Sequence, residues 1–160
     1  MKYFVYDENN KIDYMELYTF LEKIDKDFPV PLSNKVNLKE YTAKLSRYAY
    51  IISAENENKL VGIVAGYLNN LEDNLAYISL LGVCKEERNK GIAKHLIELF
   101  LQSCEKKNVR GVHVYAVEKN ISAMKTYRKA GFVKYSCEKE LRPDDEHLIK
   151  VFRYQRDNVK

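Results

Sequence analysis

The sequence contains no tryptophan, three cysteines, three prolines and six glycines among its 160 residues. The cysteines Cys84, Cys104 and Cys137 are odd in number and include no Cys-x-x-Cys pair, which argues against a disulfide framework and against a zinc knuckle. The three histidines are equally scattered along the chain. We therefore expect no metal site and a chain with reduced thiols.

Long apolar runs and a strong charge bias are also lacking. No stretch approaches the roughly 18 apolar residues of a membrane span. Acidic residues follow soon after the start, so we expect no secretory signal. The 27 Lys and Arg exceed the 23 Asp and Glu by only four, far from the dense basic stripe of a nucleic-acid binder. We expect a soluble, cytoplasmic protein that binds neither nucleic acid nor a membrane.

The composition is 46% hydrophobic and 31% charged, which suits one folded domain over residues 1–160. Apolar periodicity and turn residues predict the element order β-α-α-β-β-β-α-β-α-β-β. The predicted strands are 2–6, 50–54, 60–68, 75–83, 112–117, 132–137 and 148–154, and the predicted helices are 15–26, 38–48, 91–107 and 121–130. This order indicates an α/β (α+β) fold with helices on both faces of the sheet.

One segment combines features that favour anion binding. The apolar strand that ends at Val83 is followed by a charged loop and by a helix that opens with Arg88-x-x-Gly91-x-Ala93. The first N–H groups of a helix have no intrahelical partner, and small residues leave them accessible to an oxyanion. The pattern therefore predicts a pyrophosphate cradle, although an ordinary helix start would look similar. It is neither a Walker motif nor a Rossmann fingerprint.

A second segment runs from Asn120 to Phe132. Asn120 is a good N-cap, and Gly131 suits the left-handed residue after the helix. Asn120, Ala123, Tyr127 and Ala130 share one helix face, where the two alanines leave a groove beside the Asn amide and the Tyr hydroxyl. Taken alone, this stripe is equally typical of a packed core.

Together the two segments resemble the GNAT superfamily of acyl-CoA-dependent N-acetyltransferases. Val83, Arg88, Gly91 and Ala93 match its pyrophosphate motif, Val-x-x-x-x-Arg-x-x-Gly-x-Gly/Ala. The segment from Asn120 to Phe132 matches its Asn-x-x-Ala-x-x-x-Tyr-x-x-x-Gly-Phe motif at every marked position. The resemblance is strongest over residues 50–135 and implies a mixed central sheet of six to seven strands. Lys85, where the family often has proline, is a small departure.

The resemblance also implies the residues that bind acetyl-CoA, the co-substrate. The backbone of 81–83 would hold the pantetheine arm beside a splayed strand, with Gly82 at a bulge or a close approach. The backbone of 88–93 would hold the pyrophosphate, Asn120 would contact the pantetheine or adenosine side, and Tyr127 would protonate the leaving thiolate. The implied set is Leu81, Gly82, Val83, Arg88, Asn89, Lys90, Gly91, Ile92, Ala93, Asn120 and Tyr127.

The expected reaction is direct attack of an amine on the acetyl thioester in a ternary complex. The base that deprotonates the amine stays open among His113, Asp73 and Glu118. Cys84 abuts the cradle and offers an alternative acetyl-enzyme route, although a small buried hydrophobic residue is the simpler interpretation.

The acceptor site is expected around the loop 27–33, with Phe28, Tyr77 and His113 as candidate substrate-binding residues. The acceptor would be a small molecule, including an amino sugar, or a peptide or protein. The alternative is a non-catalytic acyl-CoA sensor or partner-binding module. A homodimer is left open.

Overall fold

The structure, a computed structural model, describes residues 1–68, 72–135 and 145–152. Their helices are α1 (Tyr14–Ile24), α2 (Leu38–Tyr48), α3 (Ile92–Lys106) and α4 (Ile121–Lys129). Their strands are β1 (Lys2–Tyr6), β2 (Tyr50–Asn56), β3 (Lys59–Tyr67), β4 (Leu75–Val83), β5 (Gly111–Val117), β6 (Val133–Lys134) and β7 (Asp145–Val151). Short 3₁₀ turns follow α1, precede α2 and precede α3.

The strands of the described chain form one mixed sheet in the order β1-β2-β3-β4-β5-β7-β6. Every neighbouring pair is antiparallel except β4 and β5, which are parallel and are joined by α3. A parallel pair needs such a crossover connection, whereas β2 and β3 form a hairpin through Glu57 and Asn58, both with positive φ.

Two neighbouring residues of β4 show that helices cover both faces of the sheet. Val83 is opposite Gly62, where an added Cβ would meet Ile92 and Leu96 of α3. An added Cβ on Gly82 would instead lie 2.6 Å from Ile24 Cδ1 of α1. Successive strand residues point to opposite faces, so α1 and α3 pack on opposite sides of β4. The predicted α/β sheet with helices on both faces is confirmed.

Local signals placed most elements within a residue or two. Asn37 Oδ1 accepts a hydrogen bond from Glu40 N at 3.0 Å, which confirms it as the N-cap of α2. The last strand begins at Asp145, three residues earlier than predicted, because it pairs with β5 as far as Val117. The predicted strand over 132–137 is described only as Val133–Lys134, and positions 136, 137, 153 and 154 of the predicted strands lie outside the described residues.

None of the helices in the described part of the chain has the length and apolar character needed to cross a bilayer.

Candidate functional site

The centre of the sheet opens where β4 and β5 diverge. They pair from Leu75 opposite Gly111 to Ile78 opposite Val114, and form no further pairs over their described lengths. The register between β3 and β4 shifts at the same level, where Ala65 is opposite Leu80 and Gly66 is opposite Ile78. Ser79 is therefore a bulged residue that marks the start of the gap.

For Gly82 the sequence left two alternatives, a bulge or a close approach, and the position of the bulge at Ser79 rules out the first. The bulge lies at Ser79, and Gly82 instead allows a close approach, since a Cβ there would collide with Ile24 of α1 and reach 3.5 Å from Phe28. The added Cβ would lie 2.6 Å from Ile24 Cδ1, which is shorter than two non-bonded carbon atoms tolerate.

The register of β3 and β4 determines which backbone groups face the gap. Cys84 N donates to Val61 O at 2.8 Å, and the pairing continues through Gly62 opposite Val83 and Val64 opposite Leu81. Antiparallel pairs alternate between hydrogen-bonded and non-hydrogen-bonded. The N–H and C=O groups of Leu81 and Val83 therefore point away from β3 and towards the gap, where an extended ligand could pair with them.

The loop before α3 forms a cradle of backbone N–H groups. Asn89 and Gly91 both have positive φ, 65° and 79°, which aims successive N–H groups at one side. Side chains of Asp13, Asn37 and Asn120 cap α1, α2 and α4, whereas α3 has no side-chain cap. Its first N–H groups are thus left for an anion.

An outer cavity of about 430 Å³ lies against this cradle. It is lined by Asp27, Phe28, Leu81, Gly82, Val83, Glu87, Arg88, Asn89, Gly91, Ile92, Ala93, Lys94, Asn120, Ser122, Ala123 and Thr126. The structure therefore brings together nine of the eleven residues predicted to bind the co-substrate. Lys90 does not line this cavity, because its ammonium turns to Glu87 at 3.0 Å, and Tyr127 lies deeper.

Arg88 fixes the geometry of the cradle as well as its charge. Its Nε donates to Val83 O at 3.2 Å, and its Nη2 lies 3.8 Å from Asp27 Oδ2. The guanidinium thus ties the end of β4 to the loop before α3 and remains on the cavity wall.

An inner cavity of about 110 Å³ occupies the gap between the strands. It is lined by Phe28, Pro29, Val30, Leu32, Lys35, Ser79, Leu80, Leu81, Val114, Tyr115, Ala116, Val117, Asn120, Ala123 and Tyr127. Phe28, Leu81, Asn120 and Ala123 line both cavities, so the two adjoin. A ligand lying along β4 would extend from the cradle into the inner cavity.

Tyr127 presents the phenol of α4 to the inner cavity. Only 4% of the residue is exposed, and within the described chain its hydroxyl has no hydrogen-bond partner. Burial raises the pKa of Tyr127 well above its ordinary value, with the nearby Tyr77 and Tyr41 phenols adding to the shift. The side chain is therefore a neutral proton donor at physiological pH.

Asn120 joins the two cavities and starts α4. Its Oδ1 accepts from Ala123 N at 3.2 Å, which confirms the predicted cap. The same residue lies on the wall of both cavities.

Two of the predicted substrate-binding residues do not line either cavity. Tyr77 and His113 are opposite each other in the paired part of β4 and β5, before the strands diverge. His113 Nδ1 lies 2.8 Å from His147 Nε2, within a cluster that also contains Tyr115. Phe28, the third predicted residue, lines both cavities.

The other candidates for the chemistry also line neither cavity. Asp73 accepts a hydrogen bond from Leu75 N at 2.9 Å at the opposite end of β4, and Glu118 lines neither cavity. Cys84 is 2% exposed and lines neither, and burial raises the pKa of its thiol. These placements favour the interpretation of Cys84 as a packed hydrophobic residue.

Several cavity residues are missed when only local patterns in the sequence are considered. Lys35 of the loop before α2 and Thr126 of α4 reach the walls through tertiary packing. Thr126 lies three residues beyond Ala123 on the predicted helix face, and that spacing could have identified it.

Comparison with known proteins agrees with this geometry. The sequence model of the acetyltransferase (GNAT) family matches residues 14–132. No curated protein matches the chain.

Solved structures share the fold. A GNAT-family acetyltransferase from Staphylococcus aureus Mu50 is 18% identical, with a TM-score of 0.73 over 95% of this chain and 100% of that one. PaiA N-acetyltransferase from Thermoplasma acidophilum, in complex with coenzyme A, is 17% identical, with a TM-score of 0.70 over 95% and 100% of the two chains. A Bacillus anthracis protein described as a streptothricin acetyltransferase, in complex with acetyl coenzyme A, is 28% identical, with a TM-score of 0.56 over 66% and 63%.

Proposed function

The chain belongs to the acetyltransferase (GNAT) family, and we propose that it transfers the acetyl group of acetyl-CoA directly to the amine of a small molecule or a peptide. It is an acetyltransferase, and acetyl-CoA is its co-substrate.

The two adjoining cavities fit this co-substrate. The cradle at Asn89 and Gly91 would hold the pyrophosphate, because α3 begins there without a side-chain cap. The N–H and C=O of Leu81 would pair with the amide groups of the pantetheine arm. The acetyl thioester would then lie in the inner cavity, beside Tyr127.

The observation that carries the proposal is the position of Tyr127, a residue only 4% exposed that lines the gap between the strands and whose hydroxyl makes no hydrogen bond within the described chain. The hydroxyl is therefore left to interact with whatever enters the inner cavity. Since its raised pKa keeps the proton in place until negative charge develops nearby, Tyr127 is suited to general acid catalysis.

In this scheme the neutral amine attacks the thioester carbonyl carbon. A C–N bond forms, the C–S bond breaks, and the sulfur leaves with the electron pair. Tyr127 donates its hydroxyl proton to that sulfur, and the proton lost by the nitrogen restores the phenol through solvent. Direct transfer is favoured over an acetyl-Cys route because Cys84 lies outside both cavities.

The inner wall favours an acceptor with one amine and little further positive charge. Phe28, Val30 and Leu32 make it apolar, and Lys35 is the single charged side chain in the described lining. The Lys35 Nζ lies 3.8 Å from Asp145 Oδ1, so its charge is partly compensated, and it is the apolar lining that disfavours a polycationic amino sugar.

A thiol-release assay with acetyl-CoA tests the function. The acceptors should include an aliphatic monoamine, a polyamine, an amino sugar, an aminoglycoside and peptides with free N-terminal or lysine amines. We expect turnover with the monoamine or a peptide. Release no faster than spontaneous hydrolysis with every acceptor would contradict the proposed transfer.

Tyr127→Phe tests the role of the phenol. Loss of a general acid should lower kcat about 100-fold or more, while the affinity for acetyl-CoA stays unchanged. Tyr50→Phe is the matched control, because it also removes one hydroxyl, which lies 2.8 Å from Ser103 Oγ, and Tyr50 lines neither cavity. If Tyr127→Phe keeps the wild-type kcat, Tyr127 is only a packing residue.

A further inference from the structure

Tyr41 of helix α2 contacts the bulge that opens the sheet. Tyr41 Oη lies 2.6 Å from Ser79 Oγ and 3.3 Å from the backbone oxygen of Ser79. Tyr41 itself lines neither cavity, whereas Ser79 is on the wall of the inner one.

Both contacts can be hydrogen bonds at the same time in one arrangement. Each hydroxyl has a single proton to donate. If Tyr41 donates to the Ser79 carbonyl oxygen, Ser79 Oγ–H can donate to Tyr41 Oη. Burial raises the pKa of Tyr41, so the phenol keeps the proton that this arrangement requires.

Ser79 is the residue whose backbone decides where the gap begins. Pairing of β4 with β5 ends at Ile78, and the register with β3 shifts across Ser79. Two residues later, Leu81 presents its N–H and C=O to the gap. A rotation of the backbone at Ser79 would therefore turn the polar groups of Leu81 with it.

We propose that Tyr41 is a positioning residue, which holds the Ser79 bulge and thereby sets the backbone of Leu81 for the pantetheine arm of acetyl-CoA. The proposal rests on the placement of that arm in the proposed function. It gives α2 a role in binding the co-substrate, although α2 contributes no residue to the lining of either cavity.

The test is the affinity of acetyl-CoA, measured by calorimetry on the full chain, for Tyr41→Phe and separately for Ser79→Ala. Each variant removes the Tyr–Ser hydroxyl contact, so each should weaken acetyl-CoA binding by about 3- to 10-fold. The double variant should lose no more than Tyr41→Phe alone, since Tyr41→Phe removes both contacts, whereas Ser79→Ala leaves the bond from Tyr41 to the Ser79 carbonyl oxygen in place.

Tyr50→Phe is again the matched control. It breaks another Tyr–Ser hydroxyl contact, at 2.8 Å between β2 and α3, and should leave the affinity unchanged. A loss of affinity equal to that of Tyr41→Phe would mean that general destabilisation explains both effects.

The fragment 3′-phosphoadenosine 5′-diphosphate, which has the pyrophosphate but no pantetheine arm, separates positioning from a disturbed fold. Competition with acetyl-CoA should give the same fragment affinity in Tyr41→Phe and wild type. Equal weakening of both ligands, or wild-type affinity of Tyr41→Phe for acetyl-CoA, would overturn the proposal. Absence of acetyl-CoA binding by the wild-type chain would instead refute the proposed function, and the positioning role with it.

Discussion

Gly91→Ala is the most direct test of the cradle. Gly91 has φ of 79° at the start of α3, and an added Cβ would meet no heavy atom within 4 Å. The left-handed conformation costs a residue with a Cβ about 1–2 kcal/mol. Because alanine restricts the unfolded chain more than glycine does, about 0.4–1 kcal/mol of this conformational cost is offset. The net fall in stability should be about 1 kcal/mol, or about 2–4 °C in Tm for a chain of this size.

Binding should suffer more than stability. The methyl group would project into the open space through which an anion reaches the N–H groups, since Gly91 lines the outer cavity. If the backbone relaxes to negative φ instead, the N–H groups turn away from that space. Either response should raise the Kd for acetyl-CoA at least about 10-fold, because charge-assisted hydrogen bonds contribute about 1.5–3 kcal/mol each. Calorimetric titration measures the Kd, and thermal unfolding of the ligand-free chain measures the stability.

Gly131→Ala supplies the matched control. Gly131 also has positive φ, 98°, but it follows α4 and lines neither cavity. Its added Cβ would come within 2.6 Å of Lys150 Nζ, the end of a flexible side chain that can move. This variant should lose a similar amount of stability and keep the affinity for acetyl-CoA. The reasoning is refuted if Gly91→Ala binds as the wild type does, or if both variants lose affinity equally.

Two further outcomes are expected. Arg88→Gln removes the Nε bond to Val83 O and a positive charge on the cavity wall, and should weaken acetyl-CoA binding about 10-fold. The control Arg128→Gln breaks the pair with Glu146 and should leave acetyl-CoA binding unchanged. Equal affinities of the two variants in calorimetry would contradict the role of Arg88. Burial raises the pKa of Cys104 to about 12, so the folded chain keeps a proton that the unfolded chain loses near pH 8.5. The contribution of this thiol to stability is therefore complete below about pH 8.5 and is lost as the pH rises towards 12. Urea unfolding at pH 7, 9 and 10.5 should show the free energy of unfolding falling with pH, and Cys104→Ala should make that fall smaller. The same pH dependence in Cys104→Ala and in the wild type would refute the assignment.

Prediction from the sequence succeeded where a feature depends on neighbours along the chain. The left-handed residue at Gly131 and the cap at Asn120 each need only a few consecutive residues, and the structure has the predicted positive φ at the first and the predicted hydrogen bond at the second. The start of the gap at Ser79 depends instead on the registers of β3, β4 and β5, which no local pattern encodes. Tyr77 and His113 were therefore predicted at the acceptor site from their strands alone, although they precede the divergence.

The same distinction explains why the co-substrate could be inferred and the acceptor could not. Anion binding by backbone N–H groups requires small residues and a left-handed glycine at fixed spacing, so it leaves a compact sequence pattern. In the proposed function, the acceptor wall is made by side chains from the loop before α2 and from β5, such as Leu32 and Tyr115. Those residues are separated by long stretches of chain, and each can be exchanged without disturbing the backbone that binds acetyl-CoA. Under the proposed function, acceptor specificity can thus change while the cradle stays constant, so the inner wall, rather than the motif, would determine the substrate.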